Sequence, residues 1–414
     1  MQLLSWLHST VLGVQMLFVA FGALVLVPLL TGMSPCLALF TAGAGTLLFH
    51  AITKGKVPIF LASSFAFIAP IQQAIPQFGL GATLGGLAAA GLFYLVLSAM
   101  ILFGGAGTIH RLMPSIVTGP VIMVIGLKLA PVAVGMCKSF TSGGAPEGQA
   151  MAVALISLAT AIGVVMFGRG TLKLIPILCG VAVGYVICLI LGRVNFEALS
   201  TAPWLSTPWS EAMRCGQFEW PRLDWAAIAF LVPVALAPSI EHVGDILAIS
   251  NVTGQDYVRD PGLHRTLAGD GLATSLAALL GGPPNTTYSE VTGAVALTRA
   301  FEPKYMRIAA VTAMLVAFVS KLGGFLRTIP SPVMGGIMVL LFGMIAAIGA
   351  GTLVKAQLDM SKPRNLVIAS VILVVGIGDL QVSCGRFAMG GIGLAGIVGI
   401  LLNLVLPQDG AEKK

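Results

Sequence analysis

Apolar runs long enough to cross a membrane follow one another along almost the whole chain, each bounded by charges or turn residues. They lie near 10–31, 36–52, 57–74, 80–104, 111–136, 149–168 and 173–192. After a polar stretch they resume near 225–250, 261–281, 285–299, 305–327, 331–352, 364–381 and 388–407. A helix needs about 20 apolar residues to span the hydrocarbon core, so 414 residues have room for roughly 14–16 crossings with short loops. Charged residues are only 9% of the chain against 57% hydrophobic ones, where a soluble protein carries about 25% charge. That is too little to build a water-facing surface. Cytosolic enzymes, disordered chains and secreted disulfide scaffolds are excluded, and an all-α polytopic membrane protein of 14 segments is expected. The first run is too long for a signal-peptide core and no short A-x-A site closes it.

The few charges orient the chain. With the N-terminus inside and the spans alternating, inner loops collect Lys54, Lys56, Arg111, Arg169, Lys173, Arg259, Arg265, Arg299, Lys304, Arg307, Lys355, Lys362, Arg364, Lys413 and Lys414. Outer loops hold Lys138, Arg193, Arg214, Arg222, Arg327 and Arg386, and Lys128 and Lys321 are left within spans. The positive-inside rule then favours an even number of spans with both termini cytoplasmic. The net charge of +7 suits an anionic inner leaflet. No basic patch is interleaved with aromatics, so no nucleic-acid partner is expected. Six cysteines form no C-x-x-C or Cys/His cluster and read as small core residues, with no metal or cofactor implied.

Pro114-Ser115-Ile116-Val117-Thr118-Gly119 is echoed by Pro330-Ser331-Pro332-Val333-Met334-Gly335, each followed by a long aliphatic run. The offset places the echoes in the fifth and twelfth spans, so the repeating unit holds seven spans and must be inverted in the membrane. The stretches Ser63-Ser64-Phe65 and Asn285-Thr286-Thr287-Tyr288 make the third and tenth segments short and polar at their starts. Inverted repeats with paired broken helices are the arrangement of secondary transporters. The expected organisation is a first repeat at 1–195, a periplasmic connection at 196–224, a second repeat at 225–407 and a cytoplasmic tail at 408–414.

Carboxylates inside apolar runs are functional candidates by default. Glu241 and Asp245 are four apart, which puts them on one helix face. In a low dielectric such a pair resists ionising together, so it can hold a proton and release it when solvation changes. Glu290 follows Pro283-Pro284-Asn285-Thr286-Thr287-Tyr288-Ser289. The prolines cannot continue a helix, so a half-helix starts near Ser289-Glu290 and offers free N–H groups to a ligand. Phe65 occupies the matching break in the first half, either stacked on a planar ligand or in ordinary core. His242 reads as structural, and Lys128 and Lys321 as single membrane lysines able to snorkel. Asp270 is open between structure and function.

Together, Val14-Gln15 through Phe21-Gly22-Ala23, Ser63-Ser64-Phe65-Ala66-Phe67, Glu241-His242-Val243-Gly244, Asp260-Pro261-Gly262-Leu263-His264-Arg265 and Pro284-Asn285-Thr286-Thr287-Tyr288 resemble the nucleobase–ascorbate transporter family, above all its bacterial uracil permease branch. The likeness runs in order from about residue 10 to 405. It implies a 7+7 inverted repeat with core and gate domains, proton-coupled uptake of a nucleobase across the bacterial inner membrane, and a homodimer. It assigns Glu241 and Glu290 to the base, the backbone amides of Phe65 and Ser289 to a ring carbonyl, and Ala23 and Tyr288 to the pocket wall. Glu241 and Asp245 would carry the proton. Asp245 stands where the uracil permease has a histidine, while purine members carry Asp there. Asp270 is also purine-like, whereas Glu290 is pyrimidine-like. Val291, Met338 and Phe342 replace an Asn, a Ser and a Tyr.

A proton symporter of uracil is therefore expected, with a xanthine or purine symporter as the near alternative. An anion transporter of the same architecture is disfavoured by three site carboxylates. Gly376-Ile377-Gly378-Asp379 mimics an intramembrane aspartyl protease motif, but no Tyr-Asp partner lies in another apolar run.

Overall fold

The computed structural model describes residues 2–105, 114–140, 146–384 and 387–407. Arg111, Arg386, Lys413, Lys414 and the expected tail at 408–414 lie outside the described residues.

Proline and short polar side chains set the ends of the spans. The first is Gln2–Thr31 and the second Pro35–Ile52, where the Ser34 hydroxyl accepts from the Leu37 N–H and Pro35 fills the first helical position. Leu80–Gly104, Ser115–Lys138, Glu147–Phe167 and Pro176–Ile190 form the fourth to seventh spans. Asp224 opens the eighth by accepting from the N–H groups of Ala226 and Ala227. Pro233 then interrupts it with a tight turn at Val232–Ala235 before Leu236–Thr253. Leu263–Leu279 is the ninth, and Ser331–Lys355, Pro363–Ile377 and Gly391–Val405 are the twelfth to fourteenth.

Besides the turn in the eighth, three segments are broken among the described residues. The third is β1 (Ala62–Ser63), a turn at Phe65–Phe67 and the half-helix Ile68–Phe78. The tenth is β2 (Asn285–Thr286) and the half-helix Ser289–Thr298. The eleventh, expected as one run over 305–327, is instead Pro303–Val316 and Ser320–Arg327, bent by 85°. Its second piece carries polar groups that bond to the connection between the repeats. Ser320 meets Ser206, and Lys321 Nζ donates to the Leu199 carbonyl at 2.7 Å. Lys321 therefore does not sit inside a span as expected; it anchors the piece that turns away.

The repeat is visible in the packing register of the fifth and twelfth spans. Pro114 and Pro330 each stand directly before these helices, as the echoed sequence requires. The helices cross antiparallel through backbone-close contacts. A Cβ on Gly349 would lie 2.6 Å from the Gly119 carbonyl oxygen, and one on Gly335 would lie 3.0 Å from that of Ala133. Shifting Gly119 and Ala133 by the repeat offset gives Gly335 and Gly349, so the two contacts exchange. The same shift carries Gly126 onto Phe342, its own neighbour at the middle of the crossing. A contact pattern that maps onto itself in this way is a two-fold axis, and seven crossings per unit invert one unit against the other.

The remaining packing obeys the same exchange. The fourth span lies on the ninth as the eleventh lies on the second, and the sixth on the seventh as the thirteenth on the fourteenth. Two bundles result: spans one to four with eight to eleven, and spans five to seven with twelve to fourteen. The protein is an all-α, multi-pass membrane protein with a 7+7 inverted repeat.

Candidate functional site

Both broken spans begin at one place. β1 and β2 pair antiparallel, Ala62 opposite Thr286 and Ser63 opposite Asn285. The Ser64 N–H donates to the Pro284 carbonyl at 2.9 Å. Two-residue strands have no stability of their own, and side chains from flanking helices hold them. Asn285 Nδ2 donates to the Thr41 carbonyl at 2.9 Å, and Thr274 Oγ1 donates to the Asn285 carbonyl at 2.6 Å. On the other strand the Leu61 N–H donates to Thr46 Oγ1 at 2.9 Å. The half-helices then run away from this crossing, so both direct their free N–H groups back towards it.

Aromatic rings line one side of the crossing. Phe65 lies 5.8 Å from Tyr288, centroid to centroid, and meets Phe342 of the twelfth span edge-on at 6.2 Å. Ala23 is buried in the same apolar cluster as Phe65, Tyr288, Met338 and Phe342. Phe65, open to two readings from the residues alone, thus stands at the junction of both bundles. Ser289 begins the tenth-span half-helix, which its proposed backbone role requires; its side chain lies outside the described residues.

The carboxylates lie on the eighth and tenth spans, which pack against each other. Glu241 and Glu290 are both half-buried, and Glu290 occupies the first turn of its half-helix. Asp245 is buried and accepts from Thr287 Oγ1 at 2.8 Å. Glu241 lies close enough to Asp245, Glu290 and Asp270 for each to act on its charge. Asp270, left open by the sequence, is paired with His242: Nδ1 to Oδ2 is 3.1 Å, and both side chains are fully buried. Phe49 and Tyr94 close this pair off.

Several residues escaped sequence reading. Thr287 was visible only as a polar residue in the break, and nothing in the spacing pointed to Asp245. Lys128 is paired with Asp379 of the same bundle, a partner its spacing did not point to. Cys36, Cys137 and Cys188 are buried as expected. Cys215 is not a core residue, since it sits against Glu211 Oε1 at 3.5 Å in an outer charged cluster with Arg327. The side chain of Cys384 lies outside the described residues.

A site built where two broken spans of an inverted repeat meet, walled by rings and carboxylates drawn from several helices, defines a membrane permease rather than an enzyme. The profile described as Permease family (Xan_ur_permease) matches residues 7–384. A probable uracil permease of Pasteurella multocida is 52% identical over 396 residues, covering 96% of this chain and 93% of that one. The uracil permease of Bacillus subtilis is 43% identical over 415 residues, covering 99% and 94%. The chain belongs to the nucleobase–ascorbate transporter (nucleobase:cation symporter-2) family. Among solved structures, SLC26A9 superposes with a TM-score of 0.66 at 12% identity, over 96% of this chain and 64% of that one, which shows a shared fold alone.

Proposed function

We propose that the protein carries uracil into the cell together with a proton. What supports this reading is the pair Glu241 and Glu290, two half-buried carboxylates on the eighth and tenth spans, Glu290 in the half-helix that Tyr288 of the Phe65–Tyr288 ring pair caps. Uracil is planar and offers ring N–H donors to carboxylates and carbonyl acceptors to the N–H groups that open the half-helices at Phe65 and Ser289. The full-length similarity to uracil permeases supports the same substrate. Glu241 and Asp245, one helical turn apart, hold and release the proton.

Transport proceeds by movement of the core bundle (spans one to four and eight to eleven) against the gate bundle, exposing the crossing to each side in turn. The distribution of basic residues supports both termini in the cytoplasm and the 196–224 connection in the periplasm of a bacterial inner membrane. Repeats at 1–195 and 225–407, a tail at 408–414 and a homodimer complete the reading.

Uptake of labelled uracil into vesicles under an inward proton gradient tests it. Saturable uptake that a protonophore abolishes is expected, with little competition from xanthine. Glu290→Gln should reduce uracil uptake by roughly ten-fold or more, since a hydrogen bond to a charged acceptor contributes about 1.5–3 kcal/mol. Absence of saturable uptake of any nucleobase under that gradient overturns the reading.

A further inference from the structure

At the end of the molecule that holds the 196–224 connection, polar side-chain contacts join the two bundles, one of them between Tyr185 of the seventh span and Thr328 at the end of the eleventh. Gln73, on the half-helix of the third span, donates from Nε2 to Asp379 Oδ2 at 2.9 Å. Asp379 belongs to the other bundle, between the thirteenth span and the hairpin of β3 (Gln381–Cys384) and β4 (Phe387–Gly390). Its second oxygen is taken by Lys128 of the fifth span. The ion pair is partly shielded, with the Lys128 side chain 11% exposed and that of Asp379 30%. Gly391, at the far root of the hairpin, fits against it only without a side chain, as a Cβ there would lie 2.7 Å from Asp379 Oδ1.

The seam around this contact is closed. β4 packs on the outer helix Trp225–Leu231 of the eighth span, and a side chain on Gly393 would begin 3.0 Å from Pro233. Ile392 is 2% exposed, in an apolar cluster with Ala66 and Ala237 of the opposite bundle. A half-buried lysine and aspartate on one bundle neutralise each other whatever the bundles do. Gln73 adds nothing to that neutralisation; it adds a bond across the seam.

We propose that Gln73–Asp379 is the latch of the outer gate, made when the bundles close at this end and broken each time the site opens there. Lys128 stays with Asp379 through the cycle, so opening strands no charge and leaves the acceptor aimed for reclosure. The latch rests on the bundle-movement reading above.

The test uses Gln73→Leu, a substitution of similar size that removes only the donor. In a chain whose sole cysteine is Ile392→Cys, labelling by a membrane-impermeant maleimide should accelerate roughly ten-fold, the shift expected from losing one charge-assisted bond. A chain keeping only Cys188, fully buried within the gate bundle, should label equally slowly with and without Gln73→Leu. If the cysteine variants do not fold, hydrogen exchange of the otherwise native chain reads the same event, as faster exchange of the Gly391–Ala395 amides in Gln73→Leu. Unchanged labelling and exchange overturn the latch, as does equal acceleration at Cys188. Should the native chain take up no nucleobase, the transport reading fails, while these measurements still decide whether the contact holds the seam.

Discussion

The Thr287 hydroxyl donates a hydrogen bond to Asp245 across the gap between the tenth and eighth spans, at 2.8 Å. Asp245 is 3% exposed, so water cannot readily replace that donor. Thr287→Val keeps the shape and removes the bond, and uptake should fall roughly ten-fold or more. Initial rates in vesicles at fixed proton gradient check this; a Val variant as fast as the native protein would detach Asp245 from the transport step. At this scale the sequence was legible where a residue was out of place in its surroundings. Glu241, Asp245 and Glu290 stand out because they interrupt apolar runs, and Phe65 became a site candidate only through its resemblance to a family motif. Partnerships were not legible. His242 with Asp270, and Gln73 with Asp379 306 positions away, come together only through the crossing of the repeats.

The broken spans show which elements can be read in advance. Two prolines before Asn285 and a polar run after it announce the break in the tenth span. The 85° bend in the eleventh has no such mark, because Ala317, Phe318 and Val319 continue the apolar pattern. The bend follows from distant partners, Ser206 and the Leu199 carbonyl, which capture Ser320 and Lys321. Long-range capture also holds the β1–β2 crossing. Asn285 is fully buried and ties β2 to the second span through the Thr41 carbonyl. Asn285→Leu removes the tie to that carbonyl and should lower stability by about 0.5–1.5 kcal/mol. A thermal melt in detergent measures it, and an unchanged midpoint would mean that the strands pair without this tie.

At the scale of the whole molecule, two inverted units are joined by one connection, and that connection is fastened to the eleventh span by charge. Glu211 is 1% exposed and accepts from Arg214 at 2.8 and 3.1 Å and from Arg327 at the end of the bent piece. Burial alone pushes its carboxyl up, but the hydrogen bonds from Arg214 and Arg327, aided by their charges, outweigh burial and hold it below the usual 4.5. A carboxylate depressed in the folded state adds stability above its unfolded value, and that stability is lost as pH falls through the folded value. Glu211→Gln should therefore be less stable than the native chain at pH 7, by about 1.5–3 kcal/mol for a charge-assisted contact. The gap should narrow as pH falls below the usual 4.5 and through the lowered folded value, because the native chain loses the clamp that the variant already lacks. Other carboxylates titrate in both proteins, so the difference between the two melting curves isolates Glu211. Parallel curves across that range would show that the connection is held by packing of its apolar residues instead of by this cluster.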